Sequence, residues 1–329
     1  MEEMEAIQVP AWGWIAFGVL VIVLLSIDLV AHRGHHATSK RSAIAWSIGW
    51  ILFGLGFGVF VWVMYGAEHA HEYLGAWLIE KSLSLDNLFV FLVIFRSLNI
   101  PELEQRRVLF WGIFGALVFR ALFIFAGLEA LARWHAVVYV FGAILLFTAF
   151  RVAREDPLKQ KESKMVGWLS RRLPVTPTLE GTHFVVRHGG KLLATPMLVA
   201  LLTIEFTDVA FALDSVPAAL SVSHDPFIVY TSNVFAILGL RALYIALAHV
   251  ITQLRYLHYG LAAVLAFAGL KMVIPHSWVH VSPLLSVLII IACIGTSVVA
   301  SLVWKHRHPQ RPQNPPPGPP SQGTPARAH

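Results

Sequence analysis

The sequence has a single cysteine, Cys293, and few charges: Asp, Glu, Lys and Arg make up 13% of its 329 residues. One cysteine forms no internal disulfide and no Cys-based metal or redox pair. Set in an apolar run, it reads as a small packing residue. Soluble domains carry about 25% charged residues, so this share excludes an ordinary soluble chain. A Gly-rich phosphate loop, a Walker motif, the His-Glu-x-x-His metalloprotease pattern and a nucleophile elbow are all missing. No enzyme is expected, and no nucleic-acid partner. Met1–Ala6 is acidic rather than basic, and the first apolar run is long enough to remain as a span, so no cleavable signal peptide is expected.

What fills the chain is apolar: 57% hydrophobic residues and a mean hydropathy of +0.66. A membrane span needs roughly 20 such residues. Nine runs qualify, at 11–30, 43–65, 73–96, 107–127, 134–151, 196–220, 227–248, 257–274 and 282–304. The fold class expected is therefore all-α, a polytopic membrane protein with about nine transmembrane helices in the lipid bilayer. Alternate connections collect the basic residues: Arg33, Lys40 and Arg41; Arg96, Arg106 and Arg107; Arg151 to Lys191; Arg255; and the tail. The opposite side keeps only Arg133. Lys and Arg mark the cytoplasmic side, which predicts an outer N-terminus and a cytoplasmic C-terminus in a bacterial inner membrane.

These boundaries divide the chain into an outer segment, first span and loop (1–42), a second span with a three-helix unit (43–151), a basic cytoplasmic loop (152–195), another three-helix unit (196–274), a last span (275–305) and a tail (306–329). In the loop, His183 to His188, Gly189-Gly190 and Lys191 to Thr195 predict a short β-hairpin. The basic residues before it could lie on anionic lipid or recruit cytoplasmic stress-response partners. The tail is rich in proline and is expected to be disordered.

The two three-helix units resemble each other. Leu83-Ser-Leu-Asp86-Asn87 parallels Phe211-Ala-Leu-Asp214-Ser215, and six residues before each aspartate stands another acid, Glu80 or Asp208. The next span matches too, Arg120-Ala-Leu-Phe-Ile against Arg241-Ala-Leu-Tyr-Ile, and Phe141-Gly142 then parallels Tyr259-Gly260. Spans 3–5 thus repeat as spans 6–8. Because three is odd, the copies must face opposite ways across the membrane. Such 3+3 inverted repeats, with sites at mid-depth, belong to secondary transporters.

Acids inside a bilayer cost a few kcal/mol each or more, so their default reading is functional. Asp28, Glu80, Asp86, Glu205, Asp208 and Asp214 all fall in spans. Carboxylates are hard oxygen ligands suited to Mn²⁺, Mg²⁺ or Ca²⁺. Glu80, Asp86, Asn87, Glu205, Asp208 and Asp214 are the candidate metal ligands. Pro217 is expected to disturb its helix and free the Leu213 carbonyl as a further ligand. Asp208 and Asp214, six apart, diverge by roughly 120° in a regular helix; they meet at one ion only if the helix unwinds, or else face different neighbours. Arg120 and Arg241 read as counter-ions or gates, since a guanidinium cannot bind a cation. Asp28 stands near a span end and could simply reach the interface. Asn233 is either a ligand or a helix-bridging amide. Ser84, Thr207 and Ser215 are expected to bond back to their own helices. Glu68-His69-Ala70-His71-Glu72 could gather a cation at the outer mouth, but reads more simply as a wet polar loop.

Taken together, Ile79-Glu-Lys-Ser-Leu-Ser-Leu-Asp-Asn-Leu-Phe-Val-Phe91, Ala194-Thr-Pro196, Glu205-Phe-Thr-Asp-Val-Ala-Phe-Ala-Leu-Asp-Ser-Val-Pro217 and the run from Asp225 to Tyr244 resemble the TerC family of bacterial membrane proteins. The family takes in tellurium-resistance proteins and Alx-type, manganese-responsive members. The resemblance covers about residues 43–275. It implies export of a divalent cation, manganese above all, with Glu80, Asp86, Glu205, Asp208 and Asp214 matching the family's intramembrane acids. The rival expectation is a membrane scaffold or sensor in tellurite, redox or envelope stress, whose acids are structural ion pairs.

Overall fold

The computed structural model describes residues 7, 9–31, 40–154, 164–188, 190–247, 256–274 and 281–307. The acidic start, His32, His35, His36, Lys159, Lys161, Arg255 and residues 308–329 lie outside them, and so does the expectation of a disordered tail.

The chain is an all-α, polytopic membrane protein. Its helices are α1 (Ala11–Ala31), α2 (Lys40–Tyr65), α3 (Ala67–Ser97), α4 (Glu102–Arg133), α5 (Ala136–Arg154), α6 (Lys164–Arg172), α7 (Pro196–Leu220), α8 (Pro226–Ile237), α9 (Leu240–Leu247), α10 (Leu257–Val273) and α11 (Pro283–Arg307). Between α6 and α7 the expected hairpin forms from β1 (Val185–His188) and β2 (Lys191–Ala194), antiparallel, with Val185 opposite Ala194. Proline opens α7, α8, α10's neighbour α11 and no helix interior but one, as its missing N–H and fixed φ favour the first turn.

Seven stretches among the described residues are long and apolar enough to cross a membrane: α1, α2, α4, α5, α7, α11, and α8 with α9 taken as one. The other two expected spans are helical but differ. Helix α10 has only 17 residues, and α3 carries Glu80, Lys81 and Asp86 within its apolar length. The span expected at 227–248 is two helices rather than one. Leu238 and Gly239 interrupt it, with Gly239 at φ +84°. A β-carbon on Gly239 would also run into the ring of Trp50 on α2. Helix α7 departs from expectation the other way, remaining helical through Pro217 to Leu220. Proline removes one N–H from the ladder, and packing on every side holds the rest. Helix α6 is not foreseen by the sequence; it seats Val166 and Leu169 on the bundle and leaves Trp168 exposed.

The α8–α9 pair is the centre of the bundle. Its apolar window is 89% buried, against 17% for α1 at the periphery. Helix α3 packs on α8 and α4 on α7, while α3 also meets α7 and α5 meets α10. Aromatic rings bind the periphery to the centre: Phe57 of α2 lies 4.5 Å from Phe235 of α8, centroid to centroid, and Trp14 of α1 meets Phe227 edge-on at 5.4 Å. Asp225 caps α8. Its Oδ1 accepts from the N–H groups of Phe227 (2.8 Å) and Ile228 (3.0 Å), as an N-cap aspartate should. Its Oδ2 takes the N–H of Ile7 at 2.6 Å.

A buried acid cluster between four helices

Glu80 is wholly buried, near the middle of α3, and Asp208 is buried near the middle of α7. Between them lies the guanidinium of Arg120, from α4, itself buried. Its Nη1 bonds the Glu80 carboxylate. On the other side Nη2 lies 3.1 Å from Asp208 Oδ1 and Nε 3.4 Å from Asp208 Oδ2. The fork-to-fork geometry suits a guanidinium and a carboxylate and is among the stronger hydrogen-bonded arrangements.

Helix α8 closes the cluster. Asn233 Nδ2 donates to Glu80 Oε2 at 3.0 Å, while Asn233 Oδ1 is buried with no hydrogen-bond partner. Asn233 thus bridges helices and also presents an open acceptor. Ser84 turns back on its own helix, but to the Glu80 carboxylate (3.4 Å), and the Ser215 oxygen accepts from Arg120 of α4 at 3.3 Å; hydrogen bonds to charged groups are the stronger ones. Thr207 does bond back to its own helix, at the carbonyl of Thr203 (2.6 Å).

Glu205 stands one turn before Asp208, on the same face of α7. Its carboxylate lies flat against Gly115 of α4, where any β-carbon would collide with it. Its Oε2 is buried and without a hydrogen-bond partner. Two acceptor oxygens without a hydrogen-bond partner thus accompany the two ion pairs of Arg120: Asn233 Oδ1 on α8 and, one turn before Asp208 on α7, Glu205 Oε2. Among the described residues, no three His, Cys, Asp or Glu side chains converge as a ready metal cage.

Asp214 and Arg241 are elsewhere. Asp214 does not join Asp208; it turns to α5, taking the hydroxyl of Thr148 at 2.7 Å and standing 3.6 Å from Arg151 Nη2. Of the two arrangements open to that acid pair, the helix adopts different neighbours rather than unwinding. Asn87 is buried on α3, and the side chain of Asp86 lies outside the described residues. Arg241 is also buried, but its partner is Asp28 of α1, with Nη2 3.0 Å from Oδ2. Asp28 is thus a buried partner of Arg241 rather than an acid reaching the interface. Of the Glu68-to-Glu72 tract, His69 turns to the carbonyl of Tyr65. Glu68 and Glu72 instead line a cavity of about 780 Å³, with His135, His224 and Lys271.

Residues 65–309 match the integral membrane protein TerC family. A membrane protein of Myxococcus xanthus is 45% identical over 94% of this chain and 97% of its own. A protein of Salmonella typhi named as a candidate membrane-bound redox modulator, Alx, is 41% identical over 94% of this chain and 99% of its own. The protein of that name from Escherichia coli K12 is 39% identical over 93% and 98%. No solved structure matches the chain.

Proposed function

The chain belongs to the TerC family of integral membrane proteins, and from that premise we propose that it exports a divalent metal cation, manganese first, through the Glu80–Asp208 cluster. The observation that carries this reading is the pair of open acceptors, Asn233 Oδ1 and Glu205 Oε2, beside two carboxylates that share a single positive charge. Oxygens of this kind are what Mn²⁺ and Mg²⁺ take.

Arg120 occupies the place of the cargo. Two carboxylates facing one guanidinium retain a net negative charge, and a divalent ion displacing the guanidinium neutralises them. Arg120 is then the gate: it keeps the acids paired at mid-depth when no cation is bound, and must withdraw for one to load. Asn233 orients Glu80 through its amide, and Glu205 enters as a further oxygen donor by virtue of Gly115. Asp86 and Asn87 on α3 and Asp214 on α7 are the further candidate ligands, Asp214 standing apart beside Thr148 and Arg151 of α5. The cavity at Glu68 and Glu72 would be the outer mouth, with the N-terminus outside, the C-terminus cytoplasmic and the bilayer a bacterial inner membrane. The reciprocal packing of α3 on α8 and α4 on α7 supports an inverted repeat of α3–α5 and α7–α10. The chain acts as a transporter, not an enzyme.

A second reading is favoured by the ion pairs themselves. Arg120 holds Glu80 and Asp208, Arg241 holds Asp28, and Arg151 stands by Asp214. A scaffold or sensor in tellurite, redox or envelope stress, working through the basic loop and cytoplasmic partners, would need its acids paired in this way. Metal flux in vesicles separates the two. Export requires that Glu80→Gln and Asp208→Asn lose Mn²⁺ flux. Wild-type flux in both, or none in the parent, leaves the scaffold.

A further inference from the structure

Lys81 follows Glu80 on α3 and, like it, docks on α8. Its ammonium donates to the carbonyl of Ala236 at 2.9 Å. Glu80 meets Asn233, so the two neighbours on α3 engage positions one turn apart on α8. Ala236 is the penultimate residue of α8. In an unbroken helix its carbonyl would accept from the N–H of residue 240. The interruption at Leu238 and Gly239 removes that donor, and Leu238 N bonds back to Val234 O at 2.9 Å instead.

The result is an open carbonyl at the C-terminal end of a half-helix, inside the most buried stretch of the bundle. Such an end carries a partial negative charge. In discontinuous transporter helices, carbonyls of this kind hold monovalent cations. Here the positive group is a side chain of the protein. We propose that the end of α8 is a monovalent-cation site of Na⁺ or ammonium class, and that Lys81 is its tethered occupant. The charge that other chains would have to recruit from solution is then supplied by the polypeptide, and cation loading at the acid cluster needs no alkali ion. Gly239 belongs to the same device, since it takes the positive φ at the break that follows Ala236.

The proposal goes beyond the exporter reading and is tested without a transport assay. The unfolding temperature of the full chain in detergent is compared in NaCl, KCl, methylammonium chloride and choline chloride at one ionic strength. The wild type unfolds at one temperature in all four. Lys81→Ala unfolds lower in choline and regains part of the loss in Na⁺ or methylammonium, which fit the vacated space. Lys81→Met, which fills that space with an apolar stem, stays low in every salt. A Lys81→Ala protein indifferent to the salt overturns the proposal. If Lys81→Ala is recovered folded only in Na⁺ or methylammonium, the proposal stands. If it is lost in every salt while Lys81→Gln unfolds like the wild type, the carbonyl needs only a neutral donor and the proposal falls.

Discussion

Asp208 receives Arg120 as a fork, with Nη2 at 3.1 Å from Oδ1 and Nε at 3.4 Å from Oδ2. The same guanidinium reaches Glu80 through Nη1, so one side chain from α4 ties α3 to α7 near the middle of both helices. Removing a partner from a buried ion pair costs about 3–5 kcal/mol, because the charge left behind has no solvent. Arg120→Leu strands two acids. Its unfolding temperature in detergent should fall well below that of Arg187→Leu, on the exposed hairpin, where a change within about 0.5 kcal/mol is expected. Equal unfolding temperatures would remove Arg120 from its role.

Asp208 and Asp214 should separate by function as they do in space. Asp208→Asn takes a charge from the cluster with Glu80 and should lower Mn²⁺ affinity more than Asp214→Asn, which loosens only the contacts to Thr148 and Arg151. Titration of Mn²⁺ into each purified variant measures the order. A larger loss at Asp214 would move the site toward α5.

Protons and metal compete for the same carboxylate oxygens. Apparent Mn²⁺ affinity should therefore rise with pH, and level off once the acids are ionised. The same titration repeated across pH gives the sign. An affinity that falls or stays flat as pH rises would be inconsistent with a carboxylate site.

Gly115 leaves room for the Glu205 carboxylate and for nothing larger. Gly115→Val should push that carboxylate away from Asp208 and reduce Mn²⁺ flux, while Gly18→Val, with open space around it on α1, serves as the neutral control. Overpacking of this kind costs typically about 1–3 kcal/mol. Full flux in a folded Gly115→Val protein would take Glu205 out of the site.

Much of this architecture can be read from the amino acids, because lipid as a solvent leaves the backbone few options. Apolar length marks the helices, and the cost of charge in hydrocarbon marks Glu80, Asp208 and Arg120 as residues with partners. What could not be read depends on which neighbour arrives. The pairing of Asp28 with Arg241 joins α1 to α9 across the whole chain, and no local pattern encodes it. The break at Gly239 is hidden for another reason. A glycine in an apolar run is compatible with a continuous helix, and here the ring of Trp50 helps decide otherwise. The case of Pro217 is the converse, since a residue that disrupts isolated helices sits inside one that continues through it, with Ser215 to Leu220 all buried. Residue type alone points Ser215 to its own backbone; that its oxygen accepts from Arg120 of α4 depends on which helix packs beside it.

The Ile7–Asp225 contact matters for handling the protein at the bench. Asp225 divides its two oxygens between the start of α8 and a backbone N–H near the chain's beginning. Ile7 is thus fastened to the second half of the molecule. An affinity tag fused directly ahead of Ile7, or a trimming that removes it, would tug on the same carboxylate that starts α8. A fusion partner belongs at the opposite terminus, beyond α11, where it would leave this fastening alone.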